Sequence, residues 1–377
     1  MLPAEVSVVS GVDPFEVPMK VLHVWQPVEA GVPRYANAAA RFQADRGWEV
    51  HTASPEPRDQ TGIVSHRWDS QRNPAKGLRS ESRALRKIID EVAPRVVVAH
   101  SAKAGLVVRA TVRGAIPTVF VPHAWSHLSL PAAAKPLALG WERWAARWTN
   151  ALVAVGESEA EEGVRRGVRA PMFVVRNPVP PGWEYAGPAE RGRARRDLGL
   201  PHGPIAVCVG RFSRQKGQDL LVAAWREVVT HAPEATLVLV GDGPTRMAIE
   251  STAGDRVLFP GATDDPRPYL AAADVAVMPS RWEGLSLAML EAMASGRSLV
   301  VTDVAGAEVV RRSGGGAVVP VDDPASLAAA VVERLTGRVD IEAEGRRGHD
   351  WVERNHDFDT EMSRFAAVIT RAHAFGR

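Results

Sequence analysis

Two glutamates separated by seven residues form the strongest chemical signal in the sequence. Glu283 and Glu291 lie in the segment RWEGLSLAMLEAMASG (281–296). The residues around Glu291 are otherwise uncharged and mostly apolar, so this carboxylate needs a hydrogen-bond donor or a ligand hydroxyl. The hydroxyl groups of a ribose or another sugar would satisfy it. The structural alternative is a bond from Glu291 to a neighbouring backbone group or to an arginine.

The turn around Glu283 follows the apolar run DVAVMPS (274–280) and leads into a helix that we expect to begin near Leu285 or Ser286. Parallel sheets bind ligands at such strand ends. Glu283 is therefore placed to face the same ligand as Glu291. Helix-start amides attract phosphate groups. The backbone that would approach a phosphate comprises Gly284, Leu285, Ser286 and Leu287.

A second loop carries two cations. The run PIAVCVG ends at Gly210 and is followed by RFSRQKG and a helical pattern, QDLLVAAW. Arg211 and Lys216 therefore lie just before a helix N-terminus, whose free amides and partial positive charge also favour an anion. This combination suits a diphosphate that gains negative charge as it leaves. The alternative is two solvated loop cations. Neither a Walker loop nor a G-x-G-x-x-G motif is present, so dinucleotide binding is not predicted.

Two histidines and a glycine are the candidates in the first half of the chain. His100 ends the run RVVVAH, and His123 follows the run PTVFVP. A histidine at such a place is either a hydrogen-bonded core residue or a group that faces a ligand. Gly31 follows the first apolar run, KVLHVW, and allows the backbone to approach a ligand closely.

Short apolar runs alternate with helical patterns along the chain. Most runs are apolar at consecutive positions, which is typical of parallel strands that helices cover on both faces. Strand–helix–strand alternation of this kind predicts an α/β fold with doubly wound sheets. The predicted strands are 20–25, 49–54, 95–100, 117–122, 151–156 and 172–177 in the first half, and 204–210, 236–241, 257–261, 274–280 and 298–302 in the second.

A proline-rich stretch, RNPVPPGWEYAGPAERGR (176–193), separates the two halves and has no periodicity, which is typical of a linker. We therefore predict two Rossmann-like, doubly wound domains that face a cleft. The leader before them is expected to be flexible, or to reflect a misplaced start codon. The predicted boundaries are 1–18 for the leader, 19–180 and 181–358 for the two domains, and 359–377 for a C-terminal helix that packs back on the first domain.

The composition excludes several classes of protein. The 377 residues include 46 basic and 44 acidic side chains, 45% hydrophobic residues and a single cysteine, Cys208. These values fit a folded chain of two domains rather than a disordered one. The near-neutral charge argues against nucleic-acid binding, and one cysteine excludes a disulfide framework and a cysteine-rich zinc site. A secretory signal pattern and an apolar run of about 18 residues are both missing, which predicts a cytoplasmic protein.

Basic residues are concentrated between Arg67 and Arg113, where eleven Lys and Arg stand against four Asp and Glu. In this stretch Arg79, Arg83 and Arg86 share one helical face. A basic amphipathic helix can lie on an anionic membrane, which would place the protein at the inner face of the membrane. The alternative is a solvated face on a helix whose apolar side packs in the core.

The glutamate pair and the G-R-x4-K-G loop, together on the second of two Rossmann-like domains, resemble retaining glycosyltransferases of the GT-B class. The most similar group is family four, the glycosyl transferases of group 1. The segments GDGP (241–244), PGATDDPRPYLAAADVAVMPS and DVAGAEVV also match this family. The resemblance covers residues 19–375.

In the second domain the resemblance implies that Arg211 and Lys216, next to Gly210, bind the diphosphate of the donor. It implies that Glu283 contacts the donor sugar and that Glu291 holds the ribose hydroxyls. The backbone that would frame the nucleotide base belongs to Ala262 and Thr263.

In the first domain the resemblance implies that Gly31 approaches the donor, although Ala30 stands where the family has another glycine. It implies that His123 contacts the donor sugar, with Ala124 where glycine is common. The segment HSAKAGLVVRA resembles one found in polysaccharide-building members. It makes His100 and Lys103 candidates on the acceptor side, and the alternative for Lys103 is an exposed lysine at a helix start. Trp125, in PHAWS, is a third acceptor-side candidate.

The resemblance implies a retaining, metal-independent hexosyltransferase without a cofactor. Its partners would be a nucleoside-diphosphate sugar and a lipid-linked or saccharide acceptor, in the synthesis of bacterial surface polysaccharide or glycolipid. Two alternatives remain open at this stage. One is a nucleotide-sugar 2-epimerase, and the other is a non-catalytic protein that binds a nucleotide sugar.

Overall fold

Parallel strands covered by helices form both halves of the chain. The structure is a computed structural model that describes residues 6–7, 13–27, 31–71 and 77–375. The chain divides into two compact units. Unit 1 comprises residues 1–177 and 359–377, and unit 2 comprises residues 178–358. The first division therefore falls at Asn177, three positions before the predicted boundary.

Unit 1 contains one sheet in which all strand pairs are parallel, with the order β1-β8-β7-β6-β5-β2-β3-β4. Its strands are β1 (Val6–Ser7), β2 (Lys20–Trp25), β3 (Glu49–Ser54), β4 (Ile63–Arg67), β5 (Val96–His100), β6 (Thr118–Val121), β7 (Ala151–Ala154) and β8 (Met172–Val174). Its first six helices are α1 (Gly31–Ala44), α2 (Leu78–Val92), α3 (Ala102–Val112), α4 (Ser126–Ser129), α5 (Lys135–Ala145) and α6 (Glu157–Arg165).

Unit 2 contains a second parallel sheet, with the order β11-β10-β9-β12-β13-β14. Its strands are β9 (Ile205–Val209), β10 (Thr236–Val240), β11 (Val257–Gly261), β12 (Val275–Met278), β13 (Ser298–Thr302) and β14 (Gly316–Val319). Its helices are α7 (Pro188–Asp197), α8 (Gln218–His231), α9 (Arg246–Glu250), α10 (Arg267–Ala272), α11 (Leu287–Ala294), α12 (Ala307–Ser313), α13 (Pro324–Leu335) and α14 (Ile341–Asn355).

The last helix, α15 (Phe358–Phe375), belongs to unit 1 from Asp359 onward. The Glu361 carboxylate accepts a hydrogen bond of 2.9 Å from the Arg176 backbone N–H, and the Phe365 ring lies 5.6 Å from the Tyr35 ring. The helix thus contributes to the core of unit 1. Among the described residues, none of the helices combines the length and apolar character needed to cross a membrane.

The α/β class with parallel sheets is confirmed, because the strands of both sheets pair in parallel and the interior strands are largely buried. All five positions of β5 and all five of β13 are buried. Three strands, β1, β4 and β14, were not predicted. Each pairs with a single neighbour and forms a sheet edge. An edge strand is covered less completely, so it does not need the continuous apolar run on which the prediction rested.

The segment before β2, which we expected to be flexible, contacts the rest of unit 1, for example through β1 and Phe15. Val6 and Ser7 form β1, which pairs with β8. The Phe15 ring lies 5.4 Å from the Trp48 ring. Both contacts order parts of the leader against the first sheet.

Candidate functional site

The carboxyl ends of β9 and β12 bring the two predicted loops of unit 2 side by side, since these strands are neighbours in the sheet. Gly217 ends the β9–α8 loop with a φ of 67°, and a Cβ built on it would lie 2.0 Å from the Pro279 carbonyl oxygen. Only glycine allows the two loops to approach so closely. The Phe212 side chain anchors the loop in the core with 1% exposure.

Lys216 and Glu283 form an ion pair at the centre of this arrangement. The Lys216 Nζ lies 2.5 Å from Glu283 Oε1, to which the Ser280 hydroxyl also donates at 2.8 Å. Gln215 Nε2 donates to the Trp282 carbonyl at 3.0 Å. The Glu283 carboxylate is thereby held in one orientation, and the structure brings together two of the side chains that the sequence proposed.

Two small adjoining cavities open beside this pair. Ser280, Ser286 and Met278 line both of them, Glu283 lines one and Lys216 lines the other. The cavities therefore present a cation, a carboxylate and hydroxyl groups. This set can bind an anion and hydrogen-bond a polyol.

Arg281 ties the two loops together from the outside. Its guanidinium makes two parallel hydrogen bonds to the Asp219 carboxylate, at 2.9 and 2.7 Å, and donates to Asp322 at 2.7 Å. It also donates to the Arg214 carbonyl at 2.9 Å. The hydrogen bonds that Arg281 donates to the Asp219 carboxylate raise the pKa of Arg281. Burial tends to raise the pKa of Asp219, but the hydrogen bonds and charge of Arg281 outweigh it and lower that pKa.

The helix after Glu283 begins at Leu287, with Ser286 at its N-cap, which is slightly later than we expected. Gly284 and Leu285 precede it and are buried. The Glu291 side chain lies within α11 and is fully buried. The contact between the Glu291 carboxylate and a ribose hydroxyl stays a prediction, since the structure shows only that this carboxylate is buried.

The remaining predicted residues of unit 2 follow the carboxyl ends of two different strands, β9 and β11. The Gly210 N–H donates to the Val240 carbonyl at 2.9 Å, and the Arg211 carbonyl accepts from Gln218 Nε2 at 3.1 Å. Ala262 and Thr263 are exposed after β11, and β10 separates that edge strand from β9. The base-framing role of Ala262 and Thr263 stays a prediction.

In unit 1, His123 lies in a tight turn after β6. His123 and Ala124 have φ angles of 52° and 90°, which are uncommon for residues with a side chain. The carboxylate of Glu159 stabilises this turn because it accepts a 2.6 Å hydrogen bond from the Ala124 N–H and a 2.8 Å bond from the Val155 N–H. Burial raises the pKa of Glu159 to about 7, against the effect of these two bonds. The His123 ring itself is half-buried.

The structure buries all three acceptor-side candidates in unit 1. Lys103 is 5% exposed and its Nζ lies 2.7 Å from the buried Glu81 carboxylate, so it is neither an exposed lysine nor presented to an acceptor. Trp125 is a core residue whose indole N–H donates to the Glu159 carbonyl at 2.8 Å. His100 is fully buried, and its ring nitrogens lie within hydrogen-bond distance of the His23 and His123 rings.

Gly31 begins α1, as a ligand-facing helix start requires, and Ala30 lies outside the described residues.

Several residues that support the site were not predicted from the sequence. Ser280 and Arg281 lie two or three positions before Glu283, so their closeness to the motif could have identified them. No sequence pattern identified Glu159 and Gln43, because their partners, Ala124 and His23, are distant in the sequence. Among the described residues, no three His, Cys, Asp or Glu side chains are grouped as metal ligands.

Two family models match separate parts of the chain. The family model described as Glycosyl transferases group 1 matches residues 203–336, and that described as Glycosyltransferase Family 4 matches residues 30–183. A GDP-mannose-dependent alpha-(1-6)-phosphatidylinositol monomannoside mannosyltransferase of Mycobacterium tuberculosis is 34% identical over 48% of this chain and 51% of its own length. The match thus spans about half the length of that relative.

A lipopolysaccharide core biosynthesis mannosyltransferase of Rhizobium meliloti is 28% identical over 61% of this chain and 68% of its own length. Among solved structures, Anabaena HepE in complex with UDP-glucose superposes with a TM-score of 0.79 over 93% of this chain and 98% of that chain, at 20% identity. This likeness establishes the shared fold.

Proposed function

The chain belongs to the glycosyl transferases of group 1, family four, and on this basis we propose that it transfers a sugar from a nucleoside-diphosphate sugar to an acceptor hydroxyl. The observation that carries the proposal is the Lys216–Glu283 pair beside the N-terminus of α8. A donor diphosphate would take Glu283's place as the anionic partner of Lys216. The carboxylate would then be free to accept hydrogen bonds from the sugar.

In this proposal, different residues of unit 2 bind the diphosphate, the sugar, the ribose and the base of the donor. Lys216, Arg211 and the amides at the start of α8 balance the charge of the diphosphate, which grows as the bond to the sugar breaks. Glu283 orients the sugar and Glu291 the ribose. The backbone of Gly210, the turn from Gly284 to Leu287, and the base-framing pair Ala262 and Thr263 complete the donor site.

The stereochemical course we propose is retention without a metal. The acceptor hydroxyl attacks C1 of the sugar on the face from which the diphosphate departs. The bond from C1 to the phosphate oxygen breaks as the new glycosidic bond forms, and the acceptor proton passes to the departing phosphate. Since Lys216 and Arg211 supply positive charge to the leaving group, the reaction needs no metal ion to stabilise that group. Gly31 and His123 of unit 1 are assigned to the donor sugar by the family resemblance.

For the acceptor we propose a saccharide or a lipid-linked saccharide. The two mannosyltransferase relatives are named for a phosphatidylinositol mannoside and for a lipopolysaccharide core, which supports this class. Arg79, Arg83 and Arg86 are exposed on α2, whereas its apolar face is buried in the core. Contact with an anionic membrane through α2 would therefore be electrostatic, without insertion of the helix, and added salt would weaken it.

The alternatives carry different weight. The epimerase alternative is set aside because the two family models and the relatives above are transferases. A protein that binds a nucleotide sugar without turnover would use the same residues of unit 2, so only an assay with acceptors separates it from a transferase.

The test combines binding and turnover. Thermal unfolding is measured with UDP-, GDP- and ADP-sugars, with GDP-mannose first because of the mannosyltransferase relatives. A bound donor at 100 times its Kd stabilises the fold by about 2.7 kcal/mol. The stabilising donor is then incubated with saccharide and glycolipid acceptors, and nucleotide release and the anomeric configuration of the product are recorded. Release only with an acceptor supports the proposal, an isomeric nucleotide sugar without an acceptor contradicts it, and binding without any product supports the non-catalytic alternative.

Arg214 provides a matched control for the donor site. It lies in the same loop as Lys216, carries the same charge and is exposed. Lys216→Ala should abolish the donor-dependent stabilisation, whereas Arg214→Ala should retain it. Equal stabilisation in both variants would show that the donor binds elsewhere.

A further inference from the structure

Three imidazole rings form a continuous row through the core of unit 1. The row consists of His23, His100 and His123. His23 Nδ1 lies 2.9 Å from His100 Nε2, and His100 Nδ1 lies 3.2 Å from His123 Nε2. Consecutive rings are nearly parallel, with interplanar angles of 19° and 23°. Each ring nitrogen between neighbours therefore bonds to the next ring instead of converging with the others on a common point, as metal ligands do.

Parallel strands build the row. His23 lies in β2, His100 ends β5, and His123 follows β6, and these strands are consecutive in the sheet. At the far end from His123, the Gln43 carbonyl oxygen of α1 lies 2.8 Å from His23 Nε2. Gln43, His23 and His100 are all fully buried. The row thus joins a buried amide to a half-buried imidazole in the turn that the family resemblance assigns to the donor sugar.

The rings are neutral, which limits how protons can be arranged along the row. Burial lowers the pKa of His23 to about 4 and that of His123 to about 3, and it holds the pKa of His100 well below 6.5, with help from its two neighbours. A neutral imidazole has one N–H donor and one acceptor nitrogen. Each bond in the row needs one of each, so all protons must point in the same direction along it.

We infer that Gln43 sets this direction and thereby fixes the tautomer of His123. A carbonyl oxygen can only accept, so His23 donates from Nε2 and accepts at Nδ1. His100 then donates from Nε2 to His23 and accepts at Nδ1, and His123 donates from Nε2 to His100. The lone pair at His123 Nδ1 is left to accept a hydrogen bond from a ligand hydroxyl. Gln43, His23 and His100 are positioning residues, since they act through His123.

The inference adds a specific role to the proposed function. An acceptor nitrogen at His123 recognises a sugar hydroxyl and does not deliver a proton to the leaving group. Only the identity of that hydroxyl rests on the proposed function. The direction of the row follows from the hydrogen bonds of unit 1 alone.

The direct test needs no substitution. Protein labelled with 15N in its histidines is studied by NMR at pH 7, and His123 is assigned from the spectrum of His123→Gln. We expect a protonated Nε2 and an unprotonated Nδ1 at His123, and the same tautomer at His23 and His100. A protonated Nδ1 at His123 would mean that the row runs in the opposite direction and would overturn the inference.

Two variants test the role of Gln43, with Tyr35→Phe as a matched control. The Tyr35 ring packs against His123 at 4.9 Å and against His100 at 5.9 Å, but it takes no part in the row. Gln43→Met and His100→Phe should each convert the single His123 tautomer into a mixture, and Tyr35→Phe should not. An unchanged His123 tautomer in a folded Gln43→Met protein would contradict the inference. If neither variant folds, the wild-type spectrum still decides.

Turnover gives a second, separable measurement. In Gln43→Met we expect kcat/KM to fall about fivefold, the effect of one neutral hydrogen bond to the sugar, and the donor-dependent stabilisation to fall with it. A tautomer as predicted together with no transfer in the wild type would refute the proposed function and leave the row intact. Transfer in the wild type with the opposite tautomer would refute the row alone.

Discussion

Lys216 Nζ contacts Glu283 Oε1 at 2.5 Å, although the two residues are 67 positions apart in the sequence. The contact forms because their loops leave neighbouring parallel strands at the same edge of the sheet. It places the cation and the carboxylate of the proposed donor site in one hydrogen-bonded unit.

Lys216→Ala and Glu283→Ala should each reduce kcat/KM at least about tenfold, which corresponds to a loss of about 1.4 kcal/mol in transition-state binding. Because the two side chains are in contact, their effects should not add in the double variant. Steady-state kinetics of the two single variants and the double variant check this. Unchanged kinetics in both single variants would remove the pair from the site.

Arg281→Lys should weaken donor binding, although the Arg281 side chain does not contact the donor in our proposal. Lysine cannot reproduce the two parallel bonds to Asp219 together with the bond to the Arg214 carbonyl, so the Lys216 loop loses its outer support. Asp219 and Asp322 are half exposed, so we expect a modest loss in the free energy of unfolding, about 1 kcal/mol. Arg67→Lys serves as the control, since its ion pair with Asp69 is exposed and belongs to unit 1. Equal donor affinity in wild type and Arg281→Lys would contradict this role.

Lys103→Met should lower the free energy of unfolding by about 3–5 kcal/mol, because it leaves the Glu81 charge buried without its partner. Adding Glu81→Gln should restore most of the stability, since the amide keeps an oxygen for the hydrogen bond from the Gln71 N–H. Denaturant unfolding measures both. If the folded double variant retains transfer activity, Lys103 is purely structural, and loss of activity would reinstate the acceptor role.

Stability should fall in acid because His23 is buried in its neutral form. Its pKa is about 4 in the folded chain and 6.5 when exposed. Below pH 6.5 the unfolded chain takes up a proton that the folded chain rejects until about pH 4. The contribution of neutral His23 to the free energy of unfolding is thus complete above pH 6.5. It is lost as the pH falls from 6.5 to about 4, at about 1.4 kcal/mol per pH unit.

Glu159 opposes this effect, since its pKa is raised to about 7, so the comparison is made by difference. The slope of unfolding free energy against pH between 5 and 6 should be smaller in His23→Gln than in the wild type. Identical slopes would mean that His23 is protonated in the folded protein.

Cys208 should be inert towards thiol reagents in the folded protein. It is buried in β9, and burial raises the pKa of its thiol to about 12, so the reactive thiolate is scarce at pH 8. Labelling with a chromogenic disulfide should be slow in native buffer and rapid in denaturant. Cys208 lines the cavity beside Lys216, so fast labelling without denaturant would show that this cavity opens to solvent.

Local patterns in the sequence were sufficient for the parallel α/β architecture, because buried strands require continuous apolar runs. The runs at 20–25, 49–54 and 298–302 match β2, β3 and β13 without any shift. The edge strands β4 and β14 lacked this signal, since a sheet edge tolerates exposed side chains. The chemistry of Glu283 and Lys216 was also visible, because motif spacing places both at strand ends.

Pairing across the sheet was decided only by the tertiary structure. A family resemblance made Lys103, Trp125 and His100 acceptor-side candidates, but the fold buries all three against Glu81, Glu159 and neighbouring histidines. A side chain's environment depends on which strands lie next to each other, and many strand orders are compatible with the same run of residues. The sequence therefore determined which groups could do chemistry, and strand order determined which of them line the cavities beside Lys216 and Glu283 and which contact each other.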